Sequence, residues 1–351
     1  IISNSNIIFT QSYSTHLLET PERTCKKVLI LKLHFSTMAR PTSCEWKDLP
    51  KNMNNPLHTM CSYMAMFPPS VPNYFIRKYS NEGDTVLDPF SGRGTTVLEA
   101  CFLGRIGIGN DLNPIAYLLT KAKTSVPRKS TISKRIDRLE TRFNASAISI
   151  RKEHPDIKMI FNASTLRQLI YLRSSLNWKH NKVDAFIAAM LLGVMHGNSG
   201  GYLSLSMPNT FSMSPNYVRG YIKEHKLKKP KRNVFDILRQ KLDRCYQRPP
   251  KKGKALCQDA RKLTRIGENS VDLIVTSPPY TRVIRYGKFN WIRLWFFGST
   301  WGDVDDKLFF SQSIEKYCGF MYEVLKEVRR VLKVGGKAVF VIGDVKSKDS
   351  D

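Results

Sequence analysis

The feature that most constrains the fold is the run Thr85-Val86-Leu87-Asp88-Pro89-Phe90-Ser91-Gly92-Arg93-Gly94-Thr95-Thr96. A short apolar stretch ends on an acid, a turn with two glycines follows, and helical apolar spacing then runs to Leu103, where Gly104 closes it. A strand that turns straight into a helix in this way fits a parallel sheet, and the turn lies at the strand's carboxyl edge with the helix's first N–H groups free to face a ligand. The glycines let the backbone approach that ligand closely. Arg105 to Asn110 reads as the next strand, with Asp111 just beyond it, completing a nucleotide-binding βαβ order. The turn lacks both the third glycine of a dinucleotide fingerprint and a Walker lysine, so a zwitterionic amino acid or a nucleoside suits it better than a phosphate. Asp111 is placed to accept hydrogen bonds from both hydroxyls of a ribose. The competing reading makes it the cap of a helix opened by Asn113-Pro114.

A second α/β half lies towards the end of the chain. Lys254 to Asp259 reads as a strand ending in an acid, and Val271 to Val275 as another that runs directly into Thr276-Ser277-Pro278-Pro279-Tyr280. Paired prolines fix the backbone and remove two N–H donors, so the Ser277 and Pro278 carbonyls are held rigidly and can face a ligand instead of a ladder partner. An exocyclic amine of a nucleobase is a poor nucleophile because its lone pair is delocalised, and acceptors aligned on its two protons help restore that pair. Ser277 Oγ and the Pro278 carbonyl suit this task, and Tyr280 can stack on the base. A Pro-Pro-Tyr turn alone is as readily structural. Its place on the same strand edge as Asp88, Asp111 and Asp259 favours the functional reading. An amphipathic stretch from Tyr317 to Leu332 then stops at Gly335-Gly336, and Lys337 to Ile342 forms a last strand leading to Gly343-Asp344. At least five strands alternating with helices predict an α/β fold with a parallel sheet.

Between the halves, residues 122–253 read as a mainly helical insertion, with helices over Arg135–Phe143, Leu166–Leu176, Ala185–Met195 and Val234–Tyr246 and a Gly/Ser/Asn/Pro-rich loop over 197–216. The formal charge of the 351-residue chain is +27, and Lys121 to Lys254 holds 29 Lys and Arg against 8 Asp and Glu, an excess of 21. A charge run is often only a solvated face. Spread over several segments, this one points to a polyanion. The polyanion is nucleic acid or a membrane surface; no apolar run reaches the length of a membrane span, which favours a soluble protein. The seven scattered cysteines never fall in CxxC spacing, which disfavours a zinc site or a disulfide framework and fits reduced thiols in the cytoplasm. Residues 1–37, ahead of the first methionine Met38, read as a non-native or disordered leader and are set outside the fold. Residues 38–121 and 254–351 are then the two halves of one domain.

With these residues in view, the chain resembles the amino-methylating DNA methyltransferases, over about residues 58–121 and 254–344. The resemblance implies a Rossmann-like fold and binding of S-adenosylmethionine by Asp88, Pro89, Phe90, Gly92, Gly94 and Thr95, with Asp111 on its ribose and Asp259 on its adenine amino group. Phe67, in Met66-Phe67-Pro68-Pro69, matches a further cofactor-contacting segment. Ser277, Pro278, Pro279 and Tyr280 match the catalytic element, whose leading serine implies cytosine N4 as the target ahead of adenine N6. It further implies double-stranded DNA as substrate, a flipped-out base, a separately acting restriction endonuclease and association with the nucleoid. Two departures stand out: the cofactor element precedes the catalytic one, unlike the permuted order common among cytosine-N4 enzymes, and the basic insertion, here the candidate for target recognition, sits between the second and third strands. A sheet of this kind usually closes with an antiparallel hairpin, so the chain reads as C-terminally incomplete. RNA base methylation and a non-catalytic nucleic-acid-binding scaffold are the competing functions.

Overall fold

The computed structural model describes residues 5–10, 49–50, 53–64, 67–207, 209, 212–279 and 285–342. In chain order these form β1 (Ser5–Thr10), α1 (Ser70–Tyr79), β2 (Thr85–Asp88), α2 (Thr95–Phe102), β3 (Ile106–Asn110) and α3 (Pro114–Thr124). Then come α4 (Lys129–Thr141), α5 (Pro155–Ile160), α6 (Ala163–Ser175), α7 (Lys182–Val194), α8 (Pro215–Glu224) and α9 (Val234–Cys245). The last are β4 (Lys254–Leu256), β5 (Val271–Thr276), α10 (Trp291–Phe296), α11 (Trp301–Asp305), α12 (Ile314–Val331) and β6 (Leu332–Ile342).

The strands make one sheet in the order β1-β6-β5-β2-β3-β4. All neighbours are parallel except β1, which runs antiparallel to β6 with Ser5 opposite Ile342 and Thr10 opposite Lys337. The five strands read from the sequence are all present. Within residues 1–37, which the sequence placed outside the fold, Ser5–Thr10 is an edge strand antiparallel to β6. Gly335 and Gly336 do not separate helix from strand. β6 begins directly after α12, and the glycines fall in a register irregularity opposite the span between Val271 and Leu273.

Strict alternation explains why both faces of the sheet are covered. Val86, Leu273, Val275, Val339 and Val341 face α1 and α2, while Leu87, Ile274, Ala338 and Phe340 face the Phe320, Val324 and Val328 side of α12. Side chains of a strand point alternately to opposite faces, and strands apolar on both are the mark of a sheet between helix layers.

The helices of the insertion pack into the core of the domain. α7 is buried throughout from Asp184 to Val194, and its apolar side chains share one core with Ile115, Leu118 and Leu119 of α3 and with Phe235 and Leu238 of α9. α7 packs so closely on the loop before α1 that a Cβ on Gly193 would lie 1.9 Å from the Met60 carbonyl oxygen. Loss of a single large side chain from such a core costs about 2–5 kcal/mol, so these helices belong to the domain's own hydrophobic interior. No helix among the described residues is long and apolar enough to cross a membrane.

Candidate active site

The chain runs outward from β2 to β3 to β4 and then returns to place β5 on the other side of β2. In open α/β sheets, the point where strand order reverses opens a crevice at the strands' carboxyl ends. Here β2 ends at Asp88 and β5 at Thr276, and the Thr276 hydroxyl donates to Asp88 Oδ1 at 2.6 Å. Asp88 Oδ1 also accepts from the Phe90 amide at 3.1 Å. The carboxyl is almost fully enclosed, and burial pushes its pKa up to about 6 despite these donors.

The glycine loop is braced from behind. Gly94 takes the left-handed conformation with φ of 77°, and a Cβ there would meet Thr120 Oγ1 at 2.8 Å and Thr120 Cα at 3.0 Å. Only glycine satisfies both demands. The Arg93 guanidinium turns inward, donating to the His58 carbonyl at 2.8 Å and to Thr95 Oγ1 at 3.2 Å. The Arg93 carbonyl accepts from the fully buried Lys123 ammonium at 2.6 Å, and burial holds that lysine well below its ordinary pKa.

Asp111 is tied to the same loop. Its Oδ2 accepts from the Gly92 amide and its Oδ1 from the Asn113 amide, each at 2.9 Å. Burial raises this carboxyl too to about 6, against the pull of both amides. The cap of α3 is Asn113, whose Oδ1 accepts from Ile115 N at 3.0 Å; the capping alternative for Asp111 is thereby removed. Asn110, fully buried at the end of β3, clamps the neighbouring loops: its Nδ2 donates to the Pro89 and Gln258 carbonyls at 3.2 and 2.9 Å, and its Oδ1 accepts from Gln258 N at 3.0 Å.

These elements enclose a cavity of about 350 Å³. Phe67, Asp88, Pro89, Phe90, Gly92, Thr95, Asp111, Asp259, Ser277 and Pro279 all line it. Gly94 stands behind the loop and Pro278 is buried beneath the turn, so neither is part of the wall. Tyr280 and Met66, named from the sequence, lie outside the described residues. Asp259 lines the cavity with its carboxylate forked onto Arg261, at 3.0 Å to Nε and 2.6 Å to Nη2, and that guanidinium holds its pKa below the usual range. The expected contact to an adenine amino group therefore competes with an ion pair already in place.

The opposite wall was missed in the sequence. Tyr63 stacks on Tyr286 with centroids 5.9 Å apart, and its hydroxyl accepts from Asn113 Nδ2 at 3.0 Å. Phe309 stacks on Phe320 at 4.1 Å, and Phe320 meets Phe90 at 6.1 Å. Behind Tyr286, the buried Arg293 binds the Leu192 carbonyl, Asn290 Oδ1 and Ser62 Oγ at 3.1, 2.8 and 3.1 Å. The neighbouring aromatics Phe296, Trp291 and Trp295 serve packing and structural hydrogen bonds. The cavity thus has two buried acids on one side, an aromatic wall on the other and a Ser-Pro-Pro turn at its edge, a lining suited to a cationic, partly aromatic ligand.

Comparison with known proteins matches residues 11–121 and 271–349 to a DNA methylase family model covering N6 and N4 methyltransferases. The match begins within the stretch the sequence reading set aside and skips the basic insertion. Among relatives, the type II methyltransferase M.MvaI of Kocuria varians is 26% identical over 66% of this chain and 56% of its own length. M.BsoBI of Geobacillus stearothermophilus is 23% identical over 73% of this chain and 54% of its own length. M.MjaII of Methanocaldococcus jannaschii is 33% identical over 21% of this chain and 14% of its own length. The chain thus spans at most about half the length of these curated relatives. The matched segments make up more than half of the chain and carry both the glycine loop and the Ser-Pro-Pro turn that share one cavity, and the chain belongs to the amino-methylating DNA methyltransferase family.

Proposed function

We propose that this chain methylates an exocyclic amino group of a base in double-stranded DNA, with cytosine N4 as the target and S-adenosylmethionine as donor. The observation that carries this reading is the 2.6 Å hydrogen bond from Thr276 to Asp88, which ties the glycine loop and the Ser-Pro-Pro turn to one cavity. The donor chemistry fits the cofactor. Asp88 and Asp111 are carboxyls that burial holds partly protonated, and a neighbouring cation favours their charged forms. Asp111 Oδ1 and Oδ2 accept from a ribose, and the apolar wall receives an adenine. S-adenosylmethionine bound there supplies a methyl group on a sulfonium, already activated for displacement.

The protein's contribution is positioning and electrostatics, without a covalent enzyme intermediate. The prolines at 278 and 279 remove two backbone donors from the turn, and Ser277 at the cavity wall offers an acceptor that draws density towards the substrate nitrogen. The aromatic wall keeps water from the reacting centre. Relatives named as type II methyltransferases support a role beside a separately acting restriction endonuclease, and a cytoplasmic, nucleoid-associated setting follows only from DNA as the substrate.

The test is methyl transfer from labelled S-adenosylmethionine to unmethylated genomic DNA, read by nucleoside mass spectrometry beside Ser277→Ala. N4-methylcytosine that disappears in the variant is the expected result. N6-methyladenine refutes the base assignment but keeps the mechanism. Label appearing only in RNA, or no transfer despite cofactor binding, refutes the reading.

A further inference from the structure

The insertion's positive charge is not evenly available. Seven of its eight acids are ion-paired within it: Asp137, Glu140 and Asp236 with Arg239, Glu153 with Arg173, Asp156 with Arg219, Asp184 with Arg135, and Asp243 with Lys129. Much of the basic surface on α4, α6 and α9 is thus spent on internal pairing. The densest run of remaining cations starts in the last turn of α8 and continues beyond it, where Lys223, Lys226, Lys228, Lys229 and Lys231 are all exposed and Glu224 is the sole acid between Pro215 and Val234.

α8 is anchored along one side: Val218 is its one buried residue, Tyr221 and Ile222 pack partly buried against the same core, and Arg219 pairs with Asp156. On one face Tyr217, Tyr221 and His225 recur at four-residue spacing, with ring centroids 6.0 and then 4.1 Å apart, and Tyr217 is 45% exposed. The base of α8 is also fixed to the candidate active site. The Met213 carbonyl accepts from Trp291 Nε1 at 2.8 Å, and Ser212 N donates to the Phe289 carbonyl at 3.0 Å, on the segment that carries Tyr286 into the cavity wall.

We infer that α8 and the following Lys226–Arg232 run form the surface along which duplex DNA lies beside the site, with the lysines on phosphates and the exposed Tyr217 face towards a groove. This rests on the reading of DNA as substrate. From its fixed base the helix extends about 15 Å, and an aromatic column rimmed by cations suits a polyanion with stackable or apolar edges.

The test measures binding of a labelled unmethylated DNA duplex across salt concentrations by the full chain, Lys223→Gln/Lys226→Gln, and a control, Lys134→Gln/Lys182→Gln. The control lysines are exposed on α4 and at the start of α7, the latter about 15 Å along that helix from the Leu192 carbonyl that Arg293 binds. Two phosphate contacts at about 0.9 each in the salt slope amount to roughly 60-fold in affinity at 0.1 M salt. The expected result is that loss, with a slope shallower by about 1.8, in the first variant alone and with cofactor affinity unchanged. Equal losses in the control, an unchanged slope in the first variant, or a duplex RNA that binds equally tightly and loses affinity identically, each overturns the assignment. A chain that binds cofactor but no duplex DNA refutes the substrate reading itself, a result distinguishable from an altered control.

Discussion

Thr276→Val removes the hydroxyl that joins β5 to β2 while keeping the side chain's shape. Both partners are buried, and Asp88 already titrates at about 6 instead of the ordinary 3.8, so its ionisation costs the folded state about 3 kcal/mol above pH 6. The sign follows from the direction of the shift: between about pH 4 and 6 the folded protein binds the proton that the unfolded chain has released, and this group's contribution to stability falls as pH rises through that window. Removing a donor to the charged carboxylate raises the folded pKa further. A hydrogen bond to a charged group is worth about 1.5–3 kcal/mol, so the variant is expected to lose about that much at pH 8 and clearly less at pH 5, where Asp88 is mostly protonated in the folded state. Urea unfolding of both proteins at the two pH values reads the difference directly. Equal losses at pH 5 and pH 8 refute the claim that the hydroxyl serves the carboxylate's charge.

Three further outcomes are expected. Because the Asp111 carboxyl is raised to about 6 by burial, affinity for S-adenosylmethionine falls by up to about tenfold per pH unit below 6, and Asp111→Asn weakens it about 10- to 100-fold at pH 8; calorimetric titration from pH 5 to 8 that shows constant affinity contradicts this. Gly94→Ala combines a left-handed backbone with a 2.8 Å approach to Thr120 and is expected to cost about 2–5 kcal/mol, visible as a lower urea midpoint. Deleting residues 125–250 strips the apolar cover from α3 and leaves no cooperative unfolding transition by circular dichroism, whereas a well-folded deletion that still binds cofactor refutes the shared core.

The strands and the loops at their carboxyl ends were legible because each carries its own local signal: an apolar run, then an acid, a glycine turn or a proline pair. The alternation of Leu273, Ile274 and Val275 assigns each to a sheet face without further information. The aromatic wall was not legible for the opposite reason. Tyr63, Phe309 and Phe320 sit in a loop before α1, after α11 and within α12, and only the topology brings them together. Asn110 and Thr276 were read as strand-end residues, since a buried amide or hydroxyl that clamps two loops looks the same in sequence as one facing water. Asp259 shows the limit of a motif: its position holds, but the neighbouring Arg261 decides what its carboxylate is free to do.

The shared core also bears on how specificity and chemistry are linked. Asp111 precedes α3, α3 packs on α7, the Leu192 carbonyl near the end of α7 receives Arg293, and Arg293 binds Asn290, whose Nδ2 donates to the Tyr286 carbonyl at 2.8 Å. These contacts are buried or part-buried, so among the described residues the Asp111 side of the cavity, the insertion's α7 and the aromatic wall form one continuous structure. DNA lying on α8 as proposed would therefore act on the same body that lines the proposed cofactor cavity. Should either ligand order contacts that the other uses, the two affinities would by linkage rise together by the same factor.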